Sequence, residues 1–97
     1  MKIEHINSGN KGCFKAAGDG IEAGHMNYRW SGRDKIIVYH TKTNPDFAGK
    51  GVGKILVMEA VKVAREKHFK ITAECPFAKS IFDKTPEIRD VLASDED

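Results

Sequence analysis

No stretch of this sequence stays apolar for long enough to cross a bilayer. Charged residues break every run well short of the roughly 20 residues that a spanning helix needs. The opening MKIEHINSGNKG has no apolar core of the kind a secretory leader carries, so export is not expected. Cysteine is scarce: Cys13 and Cys75 lie 62 positions apart and form neither a CxxC motif nor a zinc spacing. Reduced thiols in the cytoplasm are the plain expectation, with no metal site. His5, His25 and His68 also lack ligand spacing and are expected at the surface. Lysine and arginine are spread along the chain without interleaved aromatics, and the net charge is only +2, which argues against a nucleic-acid partner. Repeats, low-complexity tracts and linkers are all missing. Residues 1–97 therefore read as a single domain, with about 93–97 as a frayed acidic tail.

What the chain does contain is 40% apolar and 31% charged residues, the balance of a water-soluble globular domain. Its first half reads as strands separated by turn residues. Lys2–Asn7 ends in Ser8-Gly9-Asn10, and Cys13–Ala17 ends in Gly18-Asp19-Gly20. Ile21–Trp30 follows, with Ala23, Met26, Tyr28 and Trp30 partly in register for one face. After Ser31-Gly32-Arg33-Asp34 comes KIIVYHTKT, Lys35–Thr43, whose β-branched and aromatic content makes it the expected central strand. Short turns between four strands imply an antiparallel meander. Phe14, Tyr28 and Trp30 are expected in the packing of that sheet.

From Val52 to Lys67 the period changes to that of a helix. Val52, Leu56, Val57, Ala60, Val61, Val63 and Ala64 share one half of a helical wheel, and Lys54, Glu59, Lys62, Arg65 and Glu66 share the other. Ile55 and Met58 intrude on the polar half, which suggests partial cover there. Ile71-Thr72-Ala73 reads as a short buried strand, parallel to the fourth because a helical crossover joins them. A helix over Pro76–Lys84 and a further turn from Thr85, with Pro86 at its first position, to about Leu92 complete an α/β fold.

Between the fourth strand and the long helix lies NPDFAGKGVGK, Asn44–Lys54. Alternate glycines let successive backbone N–H groups converge on one anion, the helix start adds the positive end of its dipole, and Lys50 and Lys54 add mobile charge. This is a phosphate site by chemistry. It is not a Walker A loop: Ala48 stands where the first glycine should be, and Ile55 follows Lys54 in place of Ser or Thr. Nor is it a dinucleotide fingerprint, since GxGxG here follows a fourth strand in an antiparallel context.

With the strand before it, this loop resembles the coenzyme A site of the GCN5-related N-acetyltransferases. Their signature, Gln/Arg-x-x-Gly-x-Gly/Ala, falls on Ala48-Gly49-Lys50-Gly51-Val52-Gly53. The similarity is greater to a short subfamily of about this length, through HTKTNPDFAGKGVGKIL (His40–Leu56), CPFAKSIF (Cys75–Phe82) and TPEIRDVL (Thr85–Leu92). The resemblance implies a minimal fold of four antiparallel strands, a parallel fifth, one long central helix and short closing helices. It also implies acetyl-CoA as ligand. The pantetheine arm would pair with Ile37, Val38, Tyr39, His40 and Thr41, and the pyrophosphate would take N–H groups from Gly49, Lys50, Gly51, Val52, Gly53 and Lys54. The leading Gln/Arg of the signature is Ala48 here, and there is no room for the two N-terminal helices with which larger members wall the acceptor site.

Cys75 precedes Pro76 and so sits at the N-cap of the next helix, where the positive helix end should lower its pKa. The resemblance places it near the emerging thioester, which makes it a candidate acetyl carrier. Direct transfer to an amine needs a base; His40 is the first candidate and Glu74 the second. The tyrosine that often serves larger relatives as acid is absent after the fifth strand, where Phe77 and Phe82 stand, and Phe77 is expected in the core. The expected function is acetyl transfer from acetyl-CoA to an amine or protein acceptor, by a monomer or weak dimer. The alternative is a non-catalytic acyl-CoA-binding module that acts through a protein partner.

Overall fold

The computed structural model describes residues 1–93, so all but the first residue of the expected frayed tail lies outside the described residues. Five strands form one sheet in the order β1-β2-β3-β4-β5: β1 Lys2–Ser8, β2 Lys11–Gly18, β3 Ile21–Trp30, β4 Lys35–Thr43 and β5 Lys70–Ala73. The first four are antiparallel neighbours, and β5 is parallel to β4, as the crossover through α1 (Val52–Lys67) requires. Helix α2 (Pro76–Lys84) and a 3-10 turn over Pro86–Val91 close the chain. The expected α/β architecture is present. The middle strand, however, is β3 and not β4. Propensity misleads here because β3 carries His25, Asn27 and Arg29 on a face that no described helix covers, so a central strand reads as a polar one.

One apolar core lies on the other face. Phe14, Met26, Tyr28, Ile36, Val38 and Ile71 of the sheet meet Leu56, Val57, Ala60 and Val61 of α1, together with Ala78 and Phe82 of α2. Phe14 and Tyr28 are fully buried, while Trp30 is packed against the core from its rim. Each fully buried aliphatic side chain contributes about 1.5–3 kcal/mol, which is what holds α1 to the sheet. Met58 stays 38% exposed, so the polar side of α1 is not covered there. At its C-terminal end Arg65 and Lys67 complement the helix dipole, and His68 stops the helix in a left-handed conformation, φ +62°, with its N–H bonded to Ala64 O.

Two irregularities in the sheet give β3 and β4 their shape. The β2–β3 register shifts between Ala16 and Ala17, which buries both Ala23 and Gly24 and explains why β3 alternates imperfectly. The β3–β4 register shifts between Asn27 and Tyr28: Asn27 faces His40 and Tyr28 faces Val38, leaving Tyr39 as the extra residue of a bulge. Beyond it, β4 parts from β5. The last parallel pair is Val38–Ala73, and Val38 O accepts the N–H groups of both Glu74 and Cys75 at 2.9 and 3.0 Å. The two strands form a fork that is closed at Val38 and opens toward Thr43.

Candidate functional site

The glycine loop sits at the open end of the fork. Asn44 anchors it: its backbone N–H bonds Ala23 O, its Nδ2 bonds Glu22 O, and its Oδ1 accepts from Asp46 N at 2.9 Å. Pro45–Phe47 then makes a 3-10 turn, a feature for which Asn-Pro-Asp was the available signal. Gly49 and Gly51 have φ of +81° and +70°, and nothing lies within 4 Å of where a Cβ would stand on either. Gly51 is the N-cap of α1 and offers no side-chain hydrogen bond, so the first amides of the helix are left for an anion. Lys50 and Lys54 are exposed at this rim. Gly53 has a different reason to be glycine. A Cβ there would stand 2.1 Å from the Phe77 ring, which lies across the helix start. Phe77 is 44% exposed and is a wall of the cleft, not the core residue expected from sequence.

That cleft has a volume of about 510 Å³ and runs between Thr43–Gly49 on one side and Phe77 and Ile81 of α2 on the other, with Gly51–Lys54 at its base. Above it lies the unpaired edge of β4. Because Asn44 N–H turns to β3, strand alternation turns Lys42 to β3 as well and leaves the backbone of Thr41 and Thr43 facing the fork. The free edge begins at Tyr39, two residues later than the sequence suggested, since Ile37 and Val38 are paired with Thr72 and Ala73.

Cys75 closes the fork from the β5 side. It is 7% exposed and is the N-cap residue of α2, with Pro76 at N1. Its Sγ lies 3.4 Å from Thr41 Oγ1. Burial opposes ionisation of this thiol. The Thr41 hydroxyl and the amides of Ala78, Phe77 and Thr41 favour it and outweigh burial, so the pKa falls below the ordinary thiol value. Cys13 behaves in the opposite way, its pKa pushed up chiefly by burial.

His40 is exposed and belongs to the other face of β4. It stands opposite Asn27, and its ring centroid is 5.8 Å from that of His25, whose Nδ1 is 3.0 Å from Glu22 Oε2. His25 is half-buried on that open face, at the surface as expected but paired with Glu22. The two candidate catalytic residues are not brought together: Cys75 faces the helical layer through Thr41, while His40 faces the open side. Glu74 shares that open side, where Arg29 Nη2 reaches its carboxylate at 3.2 Å. The role of Arg29, 45 positions from Glu74, had no sequence signal.

A family model described as GCN5-related N-acetyl-transferase matches residues 13–91. The chain belongs to this family. A GCN5-like protein from Staphylococcus aureus, solved by NMR, is 32% identical over 94% of this chain and 88% of its own, with a TM-score of 0.70. A ribosomal-protein-alanine N-acetyltransferase from Brucella melitensis shares the fold at 19% identity and a TM-score of 0.69, over 92% of this chain and 69% of its own. An aminoglycoside N-acetyltransferase solved with CoA shares it at 17% identity and a TM-score of 0.57, over 77% and 66%. No curated protein matches the chain significantly. It is a minimal member of the family: the open face of its sheet has no covering helix among the described residues.

Proposed function

We propose that this protein binds acetyl-CoA in the fork and transfers the acetyl group to an amine. One observation carries the reading: a glycine loop with uncapped helix amides borders a cleft that reaches Thr43, and the β4 edge runs from there to Thr41, 3.4 Å from a thiol of lowered pKa. The pyrophosphate would sit on the amides of Gly49, Gly51, Val52, Gly53 and Lys54, with the two lysine side chains adding charge; the Lys50 N–H, expected from sequence to join them, is instead given to Phe47 O at 3.1 Å. The pantetheine arm would pair with the edge from Tyr39 through His40 to Thr43. Ile37 and Val38 form the closed end, where the thioester would arrive. This fits the structure, since the space a side chain would fill at Gly49 and Gly51 is free.

Cys75 is proposed to take the acetyl group first. Its thiolate sulfur attacks the acyl carbon, the bond from that carbon to the CoA sulfur breaks, and CoA leaves as the thiol after gaining a proton. The acceptor amine then attacks acetyl-Cys75 and restores the thiol. His40, or Glu74, would remove the ammonium proton from an acceptor that arrives at the open face. Intact-mass analysis after incubation with acetyl-CoA tests the covalent step: one added acetyl group, absent in Cys75→Ala, is expected. CoA release with amines that survives in Cys75→Ala would establish direct transfer instead. Binding without CoA release on any amine would favour an acyl-CoA-binding module.

A further inference from the structure

On the open face, beside the closed end of the fork, Arg29 and Glu74 form an ion pair that spans β4. Arg29 stands opposite Ile37, Ile37 stands opposite Thr72, and Glu74 follows two residues later on the same side. The guanidinium therefore passes over the strand to reach the carboxylate at 3.2 Å. Its Cζ also lies 5.5 Å from the ring centroid of Tyr39, the bulge residue, which is 38% exposed. Glu74 immediately precedes Cys75 but lies on the open face, so an acceptor that enters the fork from that face meets this pair first. The side chains are 43% and 53% exposed, and among the described residues each has only the other as an ionic partner.

An exposed pair of this kind is held weakly and opens easily. A simple amine that reached Glu74 would displace Arg29 and leave the guanidinium without a counter-ion. A molecule with both an ammonium and a carboxylate exchanges one ion pair for two. We infer that the acceptor is a zwitterionic amine, an amino-acid-like molecule in which a carboxylate lies within a few bonds of the amine. Glu74 receives its ammonium, Arg29 its carboxylate, and Tyr39 forms the floor beneath. Arg29 is then the residue that sets acceptor specificity, and its planar fork suits a carboxylate better than a point charge would.

This inference rests on the acetyl-transfer reading, and the test separates the two. Wild-type protein is assayed for CoA release with glycine, β-alanine and propylamine. The amino acids are expected to give the higher kcat/KM, and Arg29→Gln to cut the ratio of β-alanine to propylamine by about tenfold, the size of one charged hydrogen bond. Arg29→Lys should recover part of that ratio. A wild-type preference for propylamine, or an unchanged ratio in Arg29→Gln, overturns the inference while leaving acetyl transfer intact. Where no amine releases CoA, the transfer reading fails by itself. The acceptor site is then tested by NMR on the protein with acetyl-CoA, where β-alanine should shift Arg29 Nε–H and the Tyr39 ring and propylamine should not. Absence of that shift overturns the inference too.

Discussion

The first half of β4, Lys35–Val38, has a strand on each side; the second half, Tyr39–Thr43, has one only toward β3. The paired half contains Ile36, Ile37 and Val38, and two of these are buried in the core. The unpaired half is Tyr-His-Thr-Lys-Thr, with the backbone of Thr41 and Thr43 facing the fork. Between them sits the Tyr39 bulge, where a strand that belongs to the core becomes a strand that borders a cleft. The difference shows how a small domain can present an open edge without losing its sheet. Stability is concentrated where β4 is sandwiched, and the free stretch is held by β3 on one side and by the Asn44 anchor at its end.

The contrast predicts that mutations in the two halves separate stability from binding. The largest effect is expected for Ile36→Ala in the paired half. Ile36 is fully buried, and removing it should cost about 2–5 kcal/mol of unfolding free energy through lost burial and the cavity left behind. Urea denaturation measures this directly. A loss below about 1 kcal/mol would show that the paired half does not anchor the sheet.

Thr43→Pro, in the unpaired half, should do the opposite. Proline removes an N–H that faces the fork and takes no part in the β3 ladder, so an unpaired edge tolerates it. Unfolding should shift little, while acetyl-CoA affinity measured by calorimetry falls roughly three- to tenfold, the value of one hydrogen bond. Thr43→Val keeps the N–H and controls for the lost side chain. Equal affinities for Thr43→Pro and Thr43→Val would move the pantetheine arm off this edge.

The same contrast explains what could be read from the sequence. Periodic burial made α1 legible, since Val52 to Ala64 repeats at helical spacing, and the glycine loop announced itself because few other residues accept its backbone angles. The start of the free edge was not legible. It depends on the register shift opposite Asn27 and Tyr28, and a bulge leaves no mark in the alternation of a strand whose next residues are polar on both faces. The Arg29–Glu74 pair and the Phe77–Gly53 contact were hidden for a related reason. Each joins residues far apart in sequence, and only the path of the intervening chain decides that they meet.

The smallest effect belongs to a side-chain contact that crosses the fork, Thr41 to Cys75. Here the paired and unpaired regimes meet: Thr41 lies on the free edge, yet its hydroxyl is 3.4 Å from a thiol anchored to Val38. Burial opposes ionisation of Cys75, but this hydroxyl, the amides at the start of α2 and the Thr41 amide outweigh it, so the thiol ionises below its ordinary value. Thr41→Val keeps the shape and deletes the hydroxyl, so burial gains weight and the pKa rises. At a fixed pH below the pKa, thiolate falls tenfold for each unit of that rise, and alkylation by iodoacetamide should slow by roughly two- to threefold at pH 7. The pH–rate profile should move to higher pH with its plateau unchanged, because above both pKa values the thiol is fully ionised in either protein. A lower plateau with an unmoved midpoint would mean that Thr41 limits access to Cys75 and does not set its charge. An unmoved profile would leave the backbone amides of Thr41, Phe77 and Ala78 as the cause of the lowered pKa, and would remove the Thr41 hydroxyl from the chemistry of Cys75.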